Sequence, residues 1–115
     1  SGLGTLRRNA DLKWKLTAKE VERLTRMQAR ILRSHSQFVR PGGKLVYATC
    51  SLLADENAAI ANAFSAAHPE LHPEAVGAPV SAGAEAPKPA AAGMTLWPQE
   101  INANGMFIAS WRRKA

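Results

Sequence analysis

Residues 41–51 read Pro41-Gly42-Gly43-Lys44-Leu45-Val46-Tyr47-Ala48-Thr49-Cys50-Ser51, and this stretch decides the fold class. Proline followed by two glycines is a break that no regular element crosses. After Lys44 the chain is β-branched, aromatic and almost continuously apolar, as in a strand buried on both faces of a parallel sheet. Upstream, Thr17-Ala18-Lys19-Glu20 is a capping box, in which the hydroxyl and the carboxylate each satisfy an orphan N–H of a helix start. Val21, Leu24, Gln28, Ile31, Leu32, His35, Phe38 and Val39 then recur on one helical face, which predicts a helix over 17–40. A long helix passing through a Gly-Gly turn into a buried strand over 43–50 is half of a βαβ unit. The expected class is therefore α/β.

Working outward, the 115 residues (12.4 kDa) suit one modest domain with a limited core. Residues 1–16 read as a basic loop, and 55–67 as a second helix with Asp55 and Glu56 in its first turn, where the helix dipole favours acids. Five of the seven prolines fall between Pro69 and Gly93 among alanine, glycine and serine. So little bulk cannot offset the entropy of ordering, and 70–93 is expected to be loop. Apolar bulk returns over 94–113. There Met106-Phe107-Ile108-Ala109-Ser110-Trp111, entered through the turn signal Asn102-Ala103-Asn104-Gly105, predicts a final strand. No internal repeat is present, and no apolar run is long enough to span a membrane. The chain opens on Ser1 without a charged-then-apolar leader, as an excised or processed piece does.

Charge is uneven. Residues 1–50 hold eleven basic and three acidic residues, whereas 51–115 hold four and six. A polyanion would meet the first half, through contacts that weaken as salt rises. The basic residues form two sets. Lys19, Arg23, Arg26, Arg30, Arg33 and Arg40 lie opposite the apolar face of the predicted helix and read as a solvated stripe. Arg7, Arg8, Lys13 and Lys15 sit in a loop beside Gly2 and Gly4, where arginine suits phosphate clamping, and read as ligand contacts.

One cysteine excludes an internal disulfide and a cysteine-cluster metal site, and fits a reducing, cytoplasmic setting. That cysteine, Cys50, ends the predicted strand. Functional groups of open α/β sheets gather at strand carboxyl ends, and a following helix N-terminus favours the thiolate, the nucleophilic form. A small cysteine filling the strand end fits the same position. His35, His68 and His72 read as helix-face or helix-end residues. Nothing has the spacing of a metal site, a P-loop or a dinucleotide-binding glycine motif.

Three segments together resemble the C-terminal half of the catalytic domain of Sun/RsmB-type RNA (cytosine-5)-methyltransferases, within the nucleolar-protein/Sun family. Ser1 to Trp14 is similar to the stretch after that family's Asp-x-Pro-Cys motif. Pro41 to Ser51, continued by Glu56-Asn57, is similar to its Thr-Cys motif. Asn104 to Ala109 looks like its terminal Asp-Gly-Phe-Phe strand. The resemblance implies the second half of a Rossmann-like S-adenosylmethionine-dependent methyltransferase sheet: a parallel strand, an antiparallel C-terminal strand and flanking helices. It also implies a chemistry. A cysteine thiolate adds to C6 of cytosine, C5 becomes enamine-like and takes a methyl group from S-adenosylmethionine, and loss of the C5 proton with elimination of the thiolate releases 5-methylcytosine. The family's nucleophile matches Cys50. A structured RNA must extrude the target base to reach it, with Arg7, Arg8, Lys13 and Lys15 on its phosphates or edges.

The resemblance also says what to expect of the rest. The family's second cysteine and its glycine-rich cofactor loop belong upstream of Ser1, so no cofactor-binding residue and no metal ligand is expected in this chain. Alone, it is expected not to methylate. Its partners are then ribosomal RNA and the missing N-terminal half of the domain. Without that half, the strand edge at 43–50 invites self-association. Ala10 and Ala54 stand where the family usually has proline, and Asn104 where it has aspartate. The competing reading is a small basic RNA-binding or interaction module without catalysis.

Overall fold

The computed structural model describes residues 1–5, 10–11, 14, 16–74, 93–98 and 105–115. In chain order they form a 3-10 turn (Leu3–Thr5), helix α1 (Ala18–Ser36), strand β1 (Lys44–Thr49), helix α2 (Ala58–Ala67), and strands β2 (Leu71–Glu74), β3 (Met94–Leu96) and β4 (Met106–Arg113). The class is mixed α/β. Everything in the sheet hangs on β4. β1 runs antiparallel along one edge, from Lys44 opposite Arg112 to Thr49 opposite Phe107. The other edge is shared, with β2 alongside Leu71↔Arg113 to Glu74↔Ser110 and β3 alongside Met94↔Ile108 to Leu96↔Met106.

Alternation selects the buried face. Leu45 and Tyr47 on β1 sit opposite Trp111 and Ala109 on β4. With Phe107, they meet Leu32 of α1, Ile60, Ala61 and Phe64 of α2, and Leu71 of β2. Phe64 packs edge-on against Trp111 at 4.9 Å between ring centroids, while the indole N–H donates to Ser65 Oγ at 2.8 Å. That pairing buries large apolar rings without orphaning the polar one.

Thr17 caps α1 as its sequence predicts, its Oγ1 accepting from the Glu20 N–H at 3.1 Å. The reciprocal half of the box is absent, because the Glu20 carboxylate is taken by Arg23 at 2.6 Å. α1 ends at Ser36 rather than at 40, with Phe38 and Val39 closing it through i→i+3 bonds to His35 and Ser36. Of the expected apolar face only Leu32 is fully buried, while Ile31 and Phe38 are exposed. The arginine stripe at 23, 26, 30, 33 and 40 is solvated.

Three further expectations need correction. β1 is half-open: Val46 is 55% exposed and burial alternates along the strand. Every pairing among the described residues is antiparallel, and the edge of β1 where the missing half would supply a parallel neighbour has no described strand. α2 starts at Ala58, not 55, so its first turn holds no acid. The loop expected over 70–93 begins with a strand, β2, in which Pro73 is tolerated because β2 has no described neighbour on its outer side. Glu74 accepts from Arg112 Nε at 2.6 Å and lies 3.8 Å from Lys44, tying β2 across β4 to β1. No described helix is long and apolar enough to cross a membrane.

β1 thus carries β4 on one edge and no described strand on the other, with Val46 exposed beside it. The 115-residue chain is expected to self-associate through that edge. Sedimentation velocity across a concentration series checks this. Val46→Lys should shift the distribution toward monomer, and a wild-type chain monomeric throughout would contradict it.

Candidate functional site

β1 ends at Thr49, and the next residue, Cys50, is exposed. It stands at the sheet end where β4 begins and β3 finishes, since Thr49 pairs with Phe107 and Leu96 with Met106. Main-chain bonds pin that end. Gly4 N–H donates to Cys50 O at 2.8 Å, and Gly105 N–H to Gly4 O at 2.7 Å. Gly4 fits there because it has no side chain: a Cβ would lie 2.1 Å from Gly105 O and 2.7 Å from Cys50 O.

Below the cysteine lies a buried polar cluster centred on Glu56, whose side chain is wholly enclosed. Glu56 Oε1 accepts from the main-chain nitrogen of Ser1 at 2.5 Å and from Gln28 Nε2 at 3.1 Å. Oε2 accepts from the hydroxyls of Ser1, at 2.5 Å, and Ser51. Burial alone would raise this carboxyl, but the hydrogen bonds from Ser1, Ser51 and Gln28 outweigh it and hold it below its ordinary value of 4.5. Tyr47 donates its hydroxyl to Glu56 O at 2.6 Å. Burial first, and the Glu56 charge second, push that phenol up to about 12.

Asn57 completes the arrangement. Its Oδ1 accepts from Thr49 Oγ1 at 2.5 Å and its Nδ2 donates to Ser51 O at 2.8 Å. The residues on both sides of Cys50 are therefore held by one carboxamide. A cavity of about 370 Å³ opens beside them, lined by Val46 to Ser51 of β1 and its extension, by Gln28 and Ile31 of α1, and by Ser1 and Gly2. No described β4 residue lines it, so it lies toward the edge of β1 that has no described strand partner. A second cavity, about 300 Å³ between α1 and α2, has mostly alanine, leucine, isoleucine and phenylalanine walls, with Arg33 and His68 also lining it, and shares no residue with the first.

Of the residues singled out from sequence, Cys50 stands at this cavity, whereas Arg7, Arg8, Lys13 and Lys15 all lie outside the described residues. His35 and His68 each bond a carbonyl one helical turn back and take no part. Glu56, Asn57, Ser51, Thr49 and Gln28 were not among the candidates. Thr49, Ser51, Glu56 and Asn57 stood in the sequence only within the Thr-Cys resemblance and Gln28 only as a helix-face residue, and an acid at position 56 reads as dipole compensation until the helix is seen to start after it. No described acidic side chain lines the Cys50 cavity, and Glu56 is fully engaged.

The mixed α/β sheet that carries this exposed cysteine is similar to those of solved structures. The chain overlays the crystal structure of PH0851 with a TM-score of 0.82 and 28% identity, over 97% of this chain and 24% of that one. NSun6 from Pyrococcus horikoshii, solved with SFG, gives a TM-score of 0.66 at 24% identity, over 87% of this chain and 25% of that one. The fold is thus part of a Rossmann-like methyltransferase domain. A family model for the 16S rRNA methyltransferases RsmB/F matches residues 1–112, and the chain belongs to that family. It is 42% identical over 83 residues to ribosomal RNA small subunit methyltransferase B of Klebsiella pneumoniae (strain 342), covering 72% of this chain and 19% of that protein. It is 32% identical over 119 residues to the probable ribosomal RNA small subunit methyltransferase B of Bacillus subtilis (strain 168), covering 99% of this chain and 26% of that protein. The chain therefore spans about a fifth to a quarter of these relatives' length.

The cluster has a pH signature. Glu56 binds its proton less readily folded than unfolded, so the stability it contributes is present above about pH 4.5 and is lost as pH falls through its folded value. Tyr47 acts at the other end. The unfolded phenol ionises near 10 and the folded one near 12, so stability falls as pH rises through that window. Urea titrations across pH should show both limbs. Glu56→Ala should flatten the acid limb and cost on the order of 3 kcal/mol at neutral pH. Tyr47→Phe should flatten the alkaline limb and cost about 1 kcal/mol.

Proposed function

We propose that this chain is the portion of a ribosomal RNA methyltransferase that supplies the nucleophile and part of the RNA-facing wall, and that the product is 5-methylcytosine. The observation that carries the reading is Cys50, exposed just past the end of β1 with its neighbours locked, in a chain of the RsmB/F family. A nucleophile that must meet C6 of a flipped base gains from a fixed main chain and an open side chain. The thiolate adds to C6, and the electron pair that this delivers to C5 makes C5 the methyl acceptor. The C5 proton is then lost to a base, and the C–S bond breaks to return the thiolate. The methyl group is that of S-adenosylmethionine, held by the portion of the domain upstream of Ser1. Arg7, Arg8, Lys13 and Lys15 contact RNA phosphates in this reading, which places the protein in the cytoplasm with its ribosomal substrate. The isolated chain does not methylate.

RNA carrying 5-fluorocytosine at the target tests the covalent step, because fluorine cannot leave C5 as a proton does and the adduct persists. The complete protein should form a denaturation-resistant RNA complex and transfer labelled methyl groups to 16S rRNA. Cys50→Ala should abolish both. Full methylation by Cys50→Ala would refute the assignment, and RNA binding without any methyl transfer would favour an interaction module instead.

A further inference from the structure

Helix α2 is anomalous at its start. Asn57 occupies the N-cap position, and asparagine there ordinarily accepts from an N–H of the first turn. In α2 the side chain makes no capping bond. Its carboxamide is turned back across the strand end, and the first turn of α2 forgoes a contribution of about 1 kcal/mol. What the carboxamide does instead is close a ring around Cys50. Thr49 Oγ1 donates to Asn57 Oδ1 at 2.5 Å, Asn57 Nδ2 donates to Ser51 O at 2.8 Å, and Ser51 N–H donates to Thr49 Oγ1 at 3.3 Å. Cys50 is the one residue spanned by the ring that contributes no atom to it. Its own carbonyl is fixed separately by the Gly4 N–H at 2.8 Å.

We infer that Asn57, acting with the Thr49 hydroxyl, is a positioning residue: the ring holds the Cys50 main chain so that the thiol presents one direction to the cavity along β1. The inference rests on the proposed role of Cys50 as nucleophile. Glu56 serves the same end from beneath, since Ser51 hydroxyl is bound to its carboxylate while Leu53 N–H donates to Ser51 Oγ at 3.1 Å. The ring itself touches neither base nor methyl donor. Its contribution is therefore to attack geometry, and it should appear in the chemical step and not in RNA affinity.

Thr49 is the sharper probe, because valine matches threonine in shape and removes the hydroxyl that donates to Asn57 and accepts from the Ser51 N–H, whereas serine retains it. In the complete protein, Thr49→Val and Asn57→Ala should lower the single-turnover methylation rate on the order of 10- to 100-fold with RNA Kd unchanged. Thr49→Ser should restore most of that rate. Melting temperatures accompany each variant, and should Asn57→Ala fail to fold, the valine–serine pair decides alone. A wild-type rate in Thr49→Val overturns the inference. So does a serine variant as slow as the valine one, or a rate loss matched by an equal loss of RNA affinity. Cys50→Ala run alongside separates the two claims: if it still methylates, the nucleophile assignment has failed, and if it does not, the ring variants speak for positioning alone.

Discussion

The antiparallel seam between β1 and β4 is the constraint from which the rest of this structure follows. β4 is the only strand with partners on both edges among the described residues, and it supplies Phe107, Ala109 and Trp111 to the core. Because Thr49 is in register with Phe107, the end of β1 coincides with the start of β4. That coincidence lets Gly105 reach Gly4, and Gly4 reach Cys50. A shift by one residue would turn every core side chain of β1 to the open face and move the cysteine off its anchor. Packing and chemistry are set by one register.

Above that seam, polar groups finish the work. A fully buried carboxylate is normally costly, yet Glu56 is met by donors from Ser1, Gln28 and Ser51, so its charge is compensated at every side. Asn57 is treated differently, since it withdraws from the helix it should cap. Sequences usually break a local rule where some other demand is stronger, and here the break coincides with the residue the family chemistry would use.

Much of this was legible beforehand, for reasons that can be named. The helix–Gly-Gly–strand order around residues 41–50 reflects periodicity and backbone sterics, which are local. Cys50 at a strand end followed from the same reading. The rest depended on contacts distant in sequence. Ile31 and Phe38 have the spacing of a buried face, but burial needs an opposing surface, and none of the described residues provides one. Glu56 and Asn57 carry the composition of a helix start. Their turn toward β1 is decided by Ser1, Gln28, Thr49 and Ser51, up to 55 positions away. β2 was hidden inside a proline-rich stretch because its pairing comes from β4 and not from its own propensity.

The reach of Glu56 also has a meaning for the order in which the molecule assembles. The carboxylate gathers groups at positions 1, 28 and 51, so its shell cannot close until the first residues, α1 and the end of β1 have all arrived. The β1–β4 pairs, from Lys44 opposite Arg112 to Thr49 opposite Phe107, lie still further apart in the chain, so both are long-range closures that carry a large loop-closure entropy. The thiol therefore has a fixed address only once both the sheet and this shell have closed. In acid, protonating Glu56 removes the charge these donors hold, and with it part of what ties the first residues and α1 to the end of β1.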